Sequence, residues 1–498
     1  MSRARPGTAL ADDLLLGSAT AQLRALRNGA ISAEELLRAH FAQVDALNPA
    51  INAVIWQDRD AALEQARACD AEAASGARRG PLHGLPMTVK ESFDLAGAPS
   101  TWGVPEWRDN IATRDAEAVA RLRAAGAIVY GKTNVPPRLS EGQSYNDIYG
   151  TTNNPWDVTR GPGGSSGGAA AALASGMAAL ELGSDIGGSL RNPAHCCGVF
   201  ALKPTWGVVP VAGHALPGAR AETDINVAGP MARSAADLSL ALDVLAGPGA
   251  MQASAWALAL PDDPRERLSE FTVALKLDDP AAPVEAGYVA LLEEFAAALE
   301  RAGARVLRDT VPDIDSEAHF TLYMQLLGAA LSAGQPEAEV AALRTQMEAL
   351  GDPETTRIFA PRLEGMRLRH GDWLLLDEAR RTARRAFDAF FSQADVLIVP
   401  VWCNVAFPHD QAQPRFARRF TVNGQSRAEL GQVFWAGYSG VVHLPGVVGP
   451  VGMLGHMPAG YQAIAGHGRD KTALAFARAV EREIGGFNPP PMVKEAAA

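Results

Sequence analysis

Apolar positions along the chain switch repeatedly between two periods, which predicts alternating helices and strands. Ser18 opens a helical pattern with Leu23 and Leu26 on one face, stopped by Gly29. Ser32 and Glu35 have the spacing of a capping box, in which each satisfies a free N–H of the first turn. Leu36, Leu37, His40, Phe41 and Val44 then continue at helical spacing. Residues 51–55 read as a strand, and an alanine-rich helix is expected over residues 58–74. The turn chemistry of residues 80–86 leads into a short apolar strand, Met87 to Lys90. A helix from Asp115 to Ala125, stopped by Gly126, precedes a strand at 127–131.

A polar stretch rich in Asn, Gly, Pro and Thr runs from Lys132 to Pro162 and reads as a long loop. Loops of that length inside a compact domain usually carry function. It ends in a glycine-rich turn entering a small-residue helix, followed by a strand and a second glycine-rich turn at 183–191. Further on, a strand is expected at 271–277, a helix at 286–302, a strand at 304–308 and mostly helix over 313–391. Residues 394–401 form a nearly continuous apolar run, the mark of a buried strand. Gly-rich strands at 446–464 and a closing helix at 470–483 complete the pattern, with a loose tail after it. No internal repeat is visible. The alternation predicts an α/β fold, a mixed sheet covered by helices on both faces.

Composition narrows the function classes. Apolar residues make up 47% and charged residues 20% of 498 residues, ordinary for a globular protein with a large core. The net charge of −11 argues against a nucleic-acid groove, which needs a basic surface. The N-terminal segment has no apolar stretch of secretory type, and no segment reaches the length of a membrane span, so a cytoplasmic protein is expected. Cys69, Cys196, Cys197 and Cys403 include no zinc-type spacing, and they read as buried small apolar side chains.

Three features carry candidate chemistry. Lys90 ends an apolar strand; it is either paired with a carboxylate such as Glu91 or Asp94, or desolvated into a usable general base. Residues 161–168, with Ser165 among glycines, suit an anion cradle, a nucleophile elbow or a catalytic loop. Pro155 and Pro162 disfavour the strand an elbow requires, and no lysine follows as in a phosphate loop, which leaves the catalytic loop favoured. In residues 183–191, Gly187 and Gly188 precede Ser189, so successive N–H groups can converge as in an oxyanion hole. Asp185 and Arg191 flank that turn and can brace it as an ion pair; a plain tight turn capped by Ser189 is the alternative.

Lys90, the loop around Ser165 and the turn around Ser189, in this order and spacing, resemble the amidase signature family. The likeness is strongest over residues 80–210, extends through 224–238 and returns at 457–462. It implies a single domain, 1–498, in which 80–210 is the signature core and 313–391 a helical insertion shaping the pocket. It also implies Ser189 as nucleophile, Ser165 after a cis peptide as the bridge, and Lys90 as the neutral base. The backbone N–H groups of Ile186, Gly187, Gly188 and Ser189 fall where the family holds its oxyanion, and Leu139 where it touches substrate. No metal or organic cofactor is implied. His83 and His195 are expected to be structural.

The function implied is hydrolysis of an amide, aryl amide or carbamate C–N bond in a small molecule, by a monomer or homodimer with no nucleic-acid or membrane partner. The look of residues 143–157 and 195–207 resembles bacterial amidases of xenobiotic amides, cyclic amides or urethanes. Two alternatives compete. One is the ammonia-releasing component of a tRNA amidotransferase; the other is a non-catalytic protein using its glycine loops as an anion nest.

Overall fold

Strands covered on both faces must be apolar nearly throughout, and such runs form the centre of the molecule. The computed structural model describes residues 14–333 and 335–496; the N-terminal segment up to residue 13 lies outside the described residues. One sheet contains β1 (Val54–Gln57), β2 (Pro86–Lys90), β3 (Ile128–Thr133), β4 (Leu180–Asp185), β5 (Phe200–Lys203) and β6 (Val227–Ala232). It continues with β7 (Thr272–Leu275), β8 (Arg305–Leu307), β9 (Val396–Pro400), β10 (Gly446–Leu454) and β11 (Met457–Ala465). The order across the sheet is β1-β3-β2-β4-β6-β5-β10-β11-β9-β7-β8. β3, β2 and β4 run parallel, as do β9, β7 and β8, while the pairs between these blocks are antiparallel. The expected α/β class, a mixed sheet flanked by helices, is therefore the one that forms.

Val89, Leu182, Leu202, Val273, Ile398 and Val447 are all fully buried along this sheet. Each such side chain stabilises the fold by about 1.5–3 kcal/mol relative to exposure. The helix Gly167–Ala174 is buried along its whole length, which its small side chains permit. A Cβ on Gly168 would fall 2.4 Å from the Asn134 nitrogen, so only glycine allows the helix to sit this close to the end of β3.

The structure departs from the sequence expectations in three places. The strand expected at 51–55 begins at Val54, because the preceding helix runs through Ile51 and ends on left-handed Asn52. Asn48 Oδ1 accepts the N–H groups of Ala53 and Val54 at 2.8 and 2.9 Å, fixing that exit. Lys132 belongs to β3 rather than to the loop after it, and it is fully buried. The tail expected to be loose forms a helix, Pro491–Ala496, with Val493 buried. Residues 313–391 form four helices as expected: Ser316–Ala330, Glu337–Leu350, Pro353–Gly365 and His370–Phe390.

Candidate active site

Parallel pairing sets Thr88 of β2 opposite Glu181 of β4 and carries Lys90 to the C-terminal end of its strand. Lys90 has no exposed surface. Its Nζ donates to Ser165 Oγ at 2.7 Å and to Ser184 Oγ at 3.0 Å. Burial pulls its pKa down to about 7, against the opposing charges of Asp185 and Glu181. The ion-pair reading of Lys90 is not what forms. The Glu91 carboxylate is instead occupied by the N–H groups of Thr101 and Trp102, the latter at 2.9 Å. Below Lys90, Glu181 accepts from Thr88 Oγ1 at 2.7 Å, and burial pushes its pKa up to about 8.

The loop before the helix Gly167–Ala174 presents Ser165, which is buried and preceded by a cis peptide at Gly164. Ser144 organises this loop: its hydroxyl donates to Gly163 O at 3.2 Å and accepts the Gly167 N–H at 3.0 Å. The Ser166 N–H donates to Ser189 O at 3.2 Å, tying the two glycine-rich segments together.

The second segment turns around a buried carboxylate. Asp185 accepts from Arg191 Nε at 2.9 Å and Nη2 at 2.8 Å, and from the N–H groups of Gly188 and Leu190 at 2.8 and 3.0 Å. Burial alone would raise its pKa, but the Arg191 charge and these hydrogen bonds outweigh it and hold the carboxyl well below the usual range. Arg191 Nη1 reaches on to Ala436 O at 2.8 Å, Ser439 Oγ at 3.0 Å and Gln462 Oε1 at 2.8 Å. Gly188 has a φ of 97°, and a Cβ there would meet Ala436 at 3.0 Å and Trp402 at 3.1 Å. Its N–H donates to Asp185 Oδ1. The N–H groups of Ile186, Gly187 and Ser189 take no part in the hydrogen bonds of this turn. Tyr323 Oη donates to Ile186 O at 3.0 Å and braces the turn from the helical segment.

Ser189 is 7% exposed and opens, with Gly164, Ile186 and Gly187, onto a cavity of 40 Å³. Among the described residues its hydroxyl makes no hydrogen bond, to Ser165 or to any other group. Leu139, Ser140, Ile186, Leu331 and Arg362 line both this space and a larger chamber of 670 Å³. Leu139 therefore stands at the neck between them. Ala329, Met366 and Trp373 of the helical segment line the chamber. Ser184, Tyr323 and Arg362 are not singled out by the sequence. Ser184 sits inside the glycine-rich segment that is, whereas the others come from distant segments with no local signature.

The remaining candidates are structural. His195 Nε2 bonds Asn404 O at 3.1 Å, its Nδ1 accepts the Gly460 N–H at 2.9 Å, and burial lowers its pKa to about 4. Cys196 and Cys197 are buried, and burial raises both thiol pKa values, away from nucleophilic use. Cys69, Glu72 and His83 lie within reach of a common point. His83 is already engaged with the Arg79 N–H at 3.2 Å and Cys69 O at 3.0 Å, and Glu72 pairs with Arg79 at 2.7 Å.

A mixed sheet of this order, with serine-bearing glycine turns at a buried lysine, defines a class of protein. Residues 35–474 match the Amidase family, and the chain belongs to that family. It is 34% identical to indoleacetamide hydrolase of Bradyrhizobium diazoefficiens over 489 residues, covering 94% of this chain and 86% of that protein. It is 31% identical to the A-type component of glutamyl-tRNA(Gln) amidotransferase from Anaeromyxobacter dehalogenans over 493 residues, covering 93% and 95%. The solved structure of 6-aminohexanoate cyclic dimer hydrolase superposes with a TM-score of 0.75 at 26% identity, covering 96% of this chain and 99% of that one. The protein is an amidohydrolase acting on C–N bonds other than peptide bonds. No helix among the described residues is long and apolar enough to cross a membrane.

Proposed function

We propose that the chain cleaves small-molecule amides, aryl amides or carbamates through an acyl-enzyme on Ser189. The observation that carries this reading is the contact of a buried Lys90 Nζ, at 2.7 Å, with the hydroxyl of Ser165. A serine hydroxyl is a weak nucleophile at neutral pH and needs an aligned base. Rotation about its Cα–Cβ bond turns the free Ser189 hydroxyl toward Ser165 when substrate enters. Ser189 Oγ then attacks the carbonyl carbon and gives its proton to Ser165 Oγ, while Ser165 passes its own proton to the Lys90 amine. The N–H groups of Ile186, Gly187 and Ser189 receive the oxyanion; Gly188, whose N–H already serves Asp185, shapes the turn. As the C–N bond breaks, the proton returns through Ser165 to the leaving nitrogen. Water, activated by the same relay, releases the acyl group from Ser189.

Leu139 at the neck and the helical segment 313–391 select the substrate. Indoleacetamide and cyclic amides of the 6-aminohexanoate type are the compounds to try first, given the relatives named above, with aryl carbamates beside them. The test is turnover of such a panel by the purified chain with the Ser189→Ala variant as control. Hydrolysis by the wild-type chain alone is expected; equal rates for both chains overturn the proposal. The likeness to the amidotransferase component favours a second reading, in which glutamine is the ammonia donor. Size exclusion of the isolated chain, with an assay of ammonia released from glutamine, separates the two.

A further inference from the structure

Among the described residues, the buried guanidinium groups are Arg191, Arg233, Arg380 and Arg418, and all are well partnered. Arg191 pairs with Asp185, Arg380 with Asp224 and Asp377, and Arg418 with Glu141. Arg233 has no carboxylate but spends its nitrogens on the carbonyls of Gly17, Leu173 and Ala178. Arg362 differs. It is half-buried, and among the described residues it makes no ion pair and no side-chain hydrogen bond; its Nε is buried without a hydrogen-bond partner, and its guanidinium lies over the Phe359 ring at 5.7 Å. Leaving such a group unpaired costs free energy, which a ligand can recover.

Position makes this group informative. Arg362 lines both the small cavity at Ser189 and the larger chamber, so it stands at the neck beside Leu139 and Ile186. The backbone there is held firmly. A Cβ on Gly328 would fall 2.1 Å from Arg362 O, and one on Gly365 would fall 2.0 Å from Gln325 O. The helices Ser316–Ala330 and Pro353–Gly365 thus cross in glycine contact, and the guanidinium is presented from a locked element. The nearby acidic groups are committed elsewhere. Glu141 pairs with Arg418 at 2.6 Å and Arg415 at 3.4 Å, and Asp224 pairs with Arg380 at 2.7 Å. Glu222 lines the chamber but is exposed and makes no ion pair with Arg362. Burial, with the Arg415 charge next, lowers the Arg362 pKa to about 10, which leaves it cationic at neutral pH.

We infer that Arg362 is a carboxylate-binding specificity residue, and that the substrate is an amide or carbamate bearing a carboxylate within a few bonds of the scissile carbonyl. This rests on the amidase reading above and narrows it. A guanidinium meets a carboxylate through two parallel charge-assisted hydrogen bonds, which gives both affinity and orientation. A neutral substrate of equal size leaves the cation unpaired.

Binding to the full chain carrying Ser189→Ala tests the inference without requiring turnover. The probes are succinanilic acid against butyranilide, which place the charge on the acyl side, and 4-acetamidobenzoate against acetanilide, which place it on the amine side. By titration calorimetry, at least one acid is expected to bind about tenfold or more tighter than its neutral counterpart. Adding Arg362→Gln should bring that ratio to about one, while Arg362→Lys, which keeps the charge, should retain part of it. The inference is overturned if neither acid is preferred, or if the preference survives the glutamine substitution. If the glutamine variant does not fold, the Ser189→Ala chain with and without Arg362→Lys still decides, since a preference unmoved by loss of the fork geometry contradicts it. Hydrolysis of the two neutral anilides by the wild-type chain tests the amidase reading separately.

Discussion

Asp185 holds Arg191 through both ends of its carboxylate, Oδ2 to Nε at 2.9 Å and Oδ1 to Nη2 at 2.8 Å, with both side chains buried. The same two oxygens take the N–H groups of Gly188 and Leu190, so one carboxylate fixes the turn on either side of Ser189. Removing one member of a buried pair strands the other charge, at a cost of about 3–5 kcal/mol. Asp185→Ala should therefore lower the urea midpoint sharply and disorder the Ser189 turn. A midpoint equal to wild type would show that the pair carries little of this load.

Tyr323 reaches the same turn from the helical segment by donating to Ile186 O. Tyr323→Phe removes only that hydroxyl. A hydrogen bond of this kind contributes about 0.5–1.5 kcal/mol, so kcat should fall roughly two- to tenfold with little change in Tm. Steady-state kinetics beside a thermal melt checks this; a large Tm loss with unchanged kcat would make the bond purely structural.

Trapping with a fluorophosphonate probe distinguishes the two serines. The adduct should form on Ser189 in the wild-type chain and vanish in Ser189→Ala. In Ser165→Ala the adduct should still form on Ser189, but more slowly by about 10²-fold or more, because the proton path is broken. Peptide mass spectrometry that finds the label on Ser165 instead would reverse their roles.

Much of this arrangement is legible along the chain because local chemistry writes it. The capping box at Ser32 and Glu35 forms as its spacing requires. The glycines around Ser165 and Ser189 mark turns where backbone comes close to other backbone, and Lys90 stands out as a charge at the end of an apolar strand. What stayed hidden depends on distant partners. Lys132 looks like the start of a polar loop, yet β3 continues through it, and its amine is satisfied by Ser100 at 3.0 Å and by Pro99 O. That Gly188 gives its N–H to Asp185 is a matter of turn geometry, not of residue type. Arg362 and Tyr323 lie on helices with no feature of their own, and only the crossing of those helices over the turn gives them a role.

The proposed proton relay requires an amine at position 90 that is uncharged at working pH. With its pKa drawn to about 7 by burial, the neutral fraction rises as pH climbs through 7. Nucleophilic attack by Ser189 should therefore speed up about tenfold per unit at low pH and level off above neutrality. The rate of fluorophosphonate labelling of Ser189 between about pH 5 and 9, in wild type and in Lys90→Met, measures this step directly. A sigmoid centred near 7 in the wild-type chain, lost in the variant together with about 10²- to 10⁴-fold of the rate, is the expected result. Labelling that is flat with pH, or as fast without the amine as with it, would contradict Lys90 as the base.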